Sequence, residues 1–406
     1  MSINIDLEAL QQAVSVVASE FATKDISEQA ALQVAHGSTA SHRNWHAIVG
    51  RQLSEHRALL GIESVGDGAR GRRWSKQGNT AAPHLAAPSV NRPVAAACDA
   101  AELGPQYAGD GRFAARMRLH QSWWRAHELK VPCGVGPTRS STSRSGNMLD
   151  ETAAAAGLNF LTPEIFAVVR RRLAEGQGAL EPFRLLHNLL SSQPMCFNLM
   201  GPLVGQPERA TRLVRALVGD EVARVHSVAI EWAPEPAANH LNDRTAFDAF
   251  VDYERPDGSR AALGIETKLT DSFSQRPYDG ANYRRWMPAV DGPFRPDAHG
   301  ELPMPRHNQL WRNHLLALSL RQRSFPYAAV HSAVVLHPHD DDGASVVASY
   351  RELLQPGDVT FQAWTLEQVI AAFERTAVED EHAWLHAFRR RYIALEASAR
   401  ASKGHP

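Results

Sequence analysis

Three residues of this chain have the types and spacing for metal-assisted chemistry: Asp248, Glu266 and Lys268. Between two runs of strand-forming residues, Thr245 to Tyr253 and Arg260 to Thr270, lies Arg255-Pro256-Asp257-Gly258. Proline presets the first central position of a turn, aspartate suits the second, and glycine accepts the left-handed conformation of a bulge after a type I turn. A three-residue loop of this kind pairs Arg255 with Ser259, and counting back along both strands sets Asp248 directly across from Glu266. Opposed side chains on one face have β-carbons about 4.5 to 5.5 Å apart, where two like charges destabilise the pair. A divalent cation would compensate them, because two carboxylates, a backbone carbonyl and water make an ordinary magnesium shell.

Lys268 stands two residues beyond Glu266, hence on the same strand face. Of the 43 basic residues in the chain only five are lysine, and Lys268 is the single one between Lys130 and Lys403. Arginine would serve for a plain ion pair, so a compact ammonium at this position points to a chemical role.

Asp248 followed by Gly264-Ile265-Glu266-Thr267-Lys268, on a hairpin preceded by one strand and followed by a helix and another strand, resembles the PD-(D/E)XK nuclease superfamily. Ser191-Ser192-Gln193-Pro194, Cys196-Phe197-Asn198-Leu199, Arg244 to Ala249 and Leu336-His337-Pro338 further resemble a poorly characterised bacterial branch of it. The resemblance covers roughly residues 113 to 395, and Phe247 stands where the superfamily's name has proline. It implies an α/β, restriction-endonuclease-like αβββαβ core with a mixed sheet. It also implies phosphodiester hydrolysis with Mg2+, or Mn2+ in its place, held by Asp248, Glu266 and the Thr267 carbonyl. Lys268 would then position or activate the attacking water. Glu231 is the upstream acidic ligand that the resemblance suggests, with Glu235 behind it, and Gln309 would lie beside the metal.

These residues need elements to hold them. The 406 residues suggest two domains or three. Leu7, Leu10, Val14, Val17 and Phe21 recur at helical spacing, and residues 1–60 read as a helical N-terminal module. The Gly-, Pro- and Ala-rich stretch 61–110 reads as a flexible linker, and 111–400 as the nuclease domain, with a helical part (111–220) and a catalytic core (221–400). Thr162-Pro163-Glu164 caps a helix to about Ala174, Phe183 to Val204 reads as buried helix, and a short helix spans Glu208 to Val218. Strands are expected over Glu221 to Trp232, Thr245 to Tyr253 and Arg260 to Thr270. A long loop from Ser272 to Pro305 then leads to a helix from Asn308, a strand at Ala328 to His337, a helix near Ser345, a strand at Val359 to Trp364 and a final helix from Leu366.

Composition narrows the partners. With 44% hydrophobic and 21% charged residues and a net charge of -1, the chain reads as an ordinary globular protein without a long-range positive field, so a polyanion must be held by local patches. Arg244 and the sequence Tyr283-Arg284-Arg285-Trp286 are the candidate nucleic-acid contacts. The cluster Arg70 to Lys76 reads as linker charge, and the runs Arg170 to Arg172 and Arg389 to Arg391 as exposed helix faces. His337, His339 and Asp340 to Asp342 read as turn residues, and His42 with His46 as a helical pair without a ligand role. Cys98, Cys133 and Cys196 lack paired spacing, no signal peptide or membrane segment is evident, and a cytoplasmic location is expected. DNA is the expected partner, with RNA open, no membrane, and a homodimer suited to double-strand cutting. Phage defence, restriction and repair all fit. The rival readings are a nucleic-acid-binding protein on an inactive nuclease scaffold, and a structural or partner-binding protein.

Overall fold

The computed structural model describes residues 100–402 except 177–179, 277, 288–291 and 323–324, together with residues 13–14, 20–23, 49–50, 53–54, 60, 62–68 and 71–76. The helical module expected over residues 1–60 falls largely outside the described residues, as do His42, His46 and Arg70. Strands β1 (Glu20–Ala22), β2 (Ile62–Gly68) and β3 (Gly71–Lys76) form a three-stranded antiparallel sheet. Part of the expected linker is therefore a hairpin. Its signal is faint in the sequence because few of its residues are apolar; Ile62 and Trp74 are buried, and the Trp74 indole donates to Thr23 Oγ1 at 3.1 Å.

From Arg112 onward the chain builds a sheet between two helical layers. It begins with α1 (Arg112–Trp123), β4 (Cys133–Val135), β5 (Arg144–Leu149) and α2 (Glu151–Ala155). Strands β4 and β5 pair as an antiparallel hairpin. Next come α3 (Pro163–Glu175), α4 (Pro182–His187), α5 (Ser192–Met200) and α6 (Pro207–Val218). Thr162 accepts the Ile165 N–H and caps α3 as expected. The apolar run from Phe183 is broken into α4 and α5 because Asn188 turns extended, its side chain accepting the Leu190 N–H, and Ser191 caps the second helix.

Strands β6 (Arg224–Trp232), β7 (Phe247–Glu254) and β8 (Arg260–Thr267) form an antiparallel meander. Helix α7 (Asn308–Ser319) crosses over, through the short β9 (Arg321–Gln322), to β10 (Phe325–Leu336), which lies parallel to β8. Helix α8 (Asp341–Glu352) crosses over to β11 (Phe361–Thr365), parallel to β10, and α9 (Leu366–Glu374), α10 (Glu379–Tyr392) and α11 (Glu396–Ser402) close the chain. The strand order is β11-β10-β8-β7-β6, a mixed sheet whose parallel pairs are joined by helices, as parallel neighbours require.

Alternation along the strands divides the core in two. Ala249, Val251, Leu263 and Ile265 pack with Leu199, Leu213, Val369 and Phe388 on one face; Phe250, Ala262, Val330 and Val334 pack with Leu310, Leu315, Val347 and Tyr350 on the other. The run Arg389 to Arg391 is not an exposed face. Arg389 pairs with Glu374 and Arg390 with Glu128, while Arg391 is fully buried and donates to Asn159 O, Asn159 Oδ1 and Gln121 Oε1.

Glu381 on α10 is buried between Arg209 and Arg212 of α6, 3.1 and 2.6 Å away. Burial opposes its charge, but hydrogen bonds from Arg212 and the Val378 N–H, with the charge of both arginines, hold its carboxyl below the usual range. A depressed folded value means stabilisation that is present above the unfolded value of about 4.3 and lost as pH falls through the lower folded value. Glu381→Gln should cost about 1–3 kcal/mol at pH 7, since the arginines keep some solvent, and should flatten the acid limb of stability between pH 5 and 2. Urea unfolding of both proteins across that range checks it; an unchanged acid limb would show that other carboxylates govern it.

Candidate active site

The β7–β8 ladder pairs Ala249 with Ile265 and runs to Glu254 with Arg260. The turn closes through Arg255 N–H to Ser259 O at 2.8 Å, with Gly258 at φ 80°. This is the register read from the turn residues, and it sets Asp248 across from Glu266. On the other side of β7 the ladder passes from Ile230–Ala249 to Trp232–Phe247, bracketing Glu231 and Asp248. Glu231, Asp248 and Glu266 therefore occupy one row across three adjacent strands. Glu235 lies past the end of β6 and is exposed, so Glu231 is the acidic residue nearest the pair.

Both helical layers reach this row. From one face, α5 brings Gln193, whose Nε2 donates to Glu231 Oε1 at 3.2 Å, and Cys196, whose thiol donates to the Asp248 carbonyl at 3.4 Å. From the other face, α7 brings Gln309 and Asn313, one turn apart, which donate to Glu266 Oε1 at 2.6 Å and Oε2 at 2.9 Å. Lys268 Nζ lies 2.8 Å from Glu266 Oε1 and donates to Gln309 Oε1 at 3.2 Å, and that oxygen also accepts the Ser274 N–H at 2.8 Å. Asp248 Oδ2 accepts the Thr267 N–H at 2.7 Å and hydroxyl at 2.9 Å. The segment after Lys268 is tied back by Asp271, which accepts from Arg184 at 2.8 Å and from the Ser192 hydroxyl at 3.0 Å.

The electrostatics follow from three acids and one ammonium, all buried but Asp248, which is half-buried. Burial, then the charges of Glu266 and Glu231, push the Asp248 carboxyl well above the usual range, against the pull of Lys268 and the Thr267 N–H. Burial opposes the Lys268 charge, yet Glu266 and Asp248 outweigh it and its ammonium is held above the ordinary value. Lys268 is thus a cation and a donor here, suited to orienting water and stabilising negative charge. Burial and the neighbouring Asp248 likewise push the Cys196 thiol up, which leaves it an inert part of the wall.

Asp248, Glu266, Thr267, Lys268, Glu231 and Gln309, all singled out in the sequence, come together here. Among the described residues no three His, Cys, Asp or Glu side chains close on a single point as a formed metal cage, because Glu266 is drawn to Lys268, Gln309 and Asn313, and Asp248 to Thr267. The donor set still fits a hard divalent cation: it offers oxygen donors, carboxylates above all, with like-charge crowding on Asp248 that a cation would relieve. Arg244 is exposed just before β7.

Of the candidate nucleic-acid contacts at Tyr283 to Arg285, Tyr283 is corrected, while Arg284 and Arg285 are exposed. The Tyr283 ring is buried and its hydroxyl donates to Asp243 at 2.8 Å; Arg284 pairs with Asp279 at 2.7 Å; Arg285 donates to the carbonyls of Ala238 and His240. These contacts anchor the long loop, and the buried Tyr283 ring presents no base-stacking surface. Asp340 caps α8 and His337 accepts the His339 N–H, the turn roles expected of them. Asn313 was missed. Its signal was its position four residues after Gln309, on the same helix face. Gln193 and Cys196 stood in the quoted stretches of resemblance, but nothing local in them marks a site.

A model of the PD-(D/E)XK nuclease superfamily matches residues 108–394, well over half of the chain. The chain belongs to that superfamily, and the mixed sheet flanked by helices is consistent with its fold. No curated protein and no solved structure matches the chain.

Gly264, two residues before Glu266, shows how closely β7 and β8 are fitted. A β-carbon on it would lie 2.3 Å from the ring of Phe247, which is fully buried. Gly264→Ala should therefore cost about 1–3 kcal/mol and shift the residue that precedes Asp248. Thermal unfolding tests this, and a variant as stable as the parent would show that the ring can step aside.

Proposed function

We propose that the chain is a divalent-metal-dependent nuclease that hydrolyses phosphodiester bonds, with DNA as its substrate and Mg2+ as its metal. The observation that carries the reading is the row of Glu231, Asp248 and Glu266 on three neighbouring strands, with the Lys268 ammonium 2.8 Å from Glu266, inside the stretch that matches the nuclease superfamily. Asp248 and Glu266 would hold the metal, with the Thr267 carbonyl and Glu231 completing its protein ligands. A bound Mg2+, or Mn2+ in its place, would polarise a phosphoryl oxygen, lower the pKa of a water and offset charge in the transition state.

The chain's own residues do the rest. Thr267 fixes one Asp248 oxygen with two donors, so that carboxylate is oriented before substrate arrives. Gln309 and Asn313 orient Glu266, and Gln309 also receives Lys268, so one amide sets the spacing of acid and ammonium. Lys268, as a donor, would orient the attacking water or meet the charge growing on phosphorus. Arg244, exposed at the start of the strand that carries Asp248, is the candidate contact to the phosphate backbone. A cytoplasmic location accords with the free thiols of Cys133 and Cys196, and among the described residues no helix is long and apolar enough to cross a membrane. A homodimer would serve double-strand cutting. That both Glu266 oxygens are already engaged favours, as a second reading, a nucleic-acid-binding protein on the same scaffold without cleavage.

Purified protein incubated with plasmid, linear and single-stranded DNA, and with RNA, in Mg2+ or in chelator decides between them. Metal-dependent cleavage of DNA is expected, abolished in Asp248→Ala and reduced at least about 100-fold in Lys268→Arg with both variants folded. Cleavage that survives chelator or Asp248→Ala would overturn the reading; binding without cleavage would establish the second.

A further inference from the structure

We propose that Arg172 is a positioning residue for the metal centre, holding the backbone of Glu231 in the conformation that places its carboxylate beside Asp248. The inference rests on the functional reading above and extends it to a residue on a different element, outside the strands and helices that carry the site. The sequence grouped Arg172 with an exposed helix face. In the structure its guanidinium instead turns from the last turn of α3 onto the end of β6: Nε donates to the Ile230 carbonyl at 2.7 Å and Nη2 to the Glu231 carbonyl at 2.7 Å, while Nη1 meets Glu175 at 2.9 Å.

In a regular strand successive carbonyls point to opposite sides, so one flat guanidinium cannot reach both. Glu231 supplies the departure: its φ is 55°, in the left-handed region that a non-glycine residue enters at a cost of about 1–3 kcal/mol. Such a conformation persists only where its surroundings over-determine it. The β6–β7 ladder continues on both sides, Gln193 holds the side chain, Arg172 holds the carbonyls, and the residue is buried. What this arrangement achieves is a third negative charge close enough to act on Asp248. Nothing in packing alone requires an acid in that place.

The test compares the parent, Arg172→Met, Glu231→Gln and the double variant in the full chain, with Mn2+ binding read by titration calorimetry in the absence of nucleic acid. Arg172→Met and Glu231→Gln should each weaken Mn2+ binding about 10- to 100-fold. The double variant should bind no more weakly than Glu231→Gln, because both changes remove one contribution. Arg172→Lys, which can reach one carbonyl, should recover part of the loss, and it carries the comparison if Arg172→Met fails to fold. Thermal midpoints give a second readout independent of metal. In a Glu231→Gly background the left-handed backbone needs no clamp, so Arg172→Met should lower the midpoint less there than in the parent. Parental Mn2+ affinity in Arg172→Met, additive losses in the double variant, or an equal drop in midpoint in both backgrounds would overturn this inference alone. Absence of Mn2+ binding by the parent would overturn it together with the functional reading.

Discussion

Mutual repulsion of three carboxylates gathered at one place in the sheet, against a single ammonium, is the constraint on which the rest of the structure turns. In a medium less polar than water such charges act strongly on each other, and each would rather be protonated or apart. The effect is visible on Asp248, whose carboxyl is driven up by burial and by its two acidic neighbours. A fold that keeps the three together must hold each one by contacts stronger than the repulsion. The hydrogen bonds of the site are those contacts: two donors on Asp248, two amides and an ammonium on Glu266, and an amide on Glu231.

The topology explains where those donors come from. The meander of β6, β7 and β8 puts the acids in a row, but a row at the end of a sheet is open on both faces. Helix α5 covers it from one side and α7 from the other, each presenting an amide near its N-terminus. Because α7 is the crossover that the parallel β8–β10 pair requires, Gln309 and Asn313 reach Glu266 as a consequence of chain path. The loop that leads to α7 returns a backbone N–H, that of Ser274, to Gln309, and Asp271 ties its start to α4 and α5. The machinery of the site is thus continuous with both cores.

How much of this could be read in advance depended on whether the signal was local. The hairpin register was legible because it follows from one four-residue turn and the period of two, and Asp248, Glu266 and Lys268 follow from register alone. Glu231 came from the family resemblance, yet its left-handed backbone could not be seen, since no glycine or asparagine marks it. Tyr283 misled for the opposite reason: an aromatic among basic residues suggested a surface for bases, and only the tertiary structure shows its ring turned inward with its hydroxyl on Asp243. Asn313 was marked only by its helical spacing from Gln309, and Arg172 acts across a distance in sequence that no periodicity reports.

Arginine usage connects these observations. In this arginine-rich chain many guanidiniums serve as internal clamps: Arg172 on the β6 carbonyls, Arg184 on Asp271, Arg209 and Arg212 on Glu381, Arg391 on Asn159 and Gln121. A planar fork of five donors suits that work, and an ammonium does not. The same fact accounts for the lone lysine at the site. Where a fixed bridge is needed the chain places arginine, and where a compact charge must sit between an acid and an amide with a donor to offer elsewhere, it places Lys268. Arginines held inside the fold are not available to phosphates. On the proposed function, capture of a nucleic acid would fall to exposed residues near the row of acids, Arg244 first among them, and affinity would be concentrated there instead of being spread over the surface.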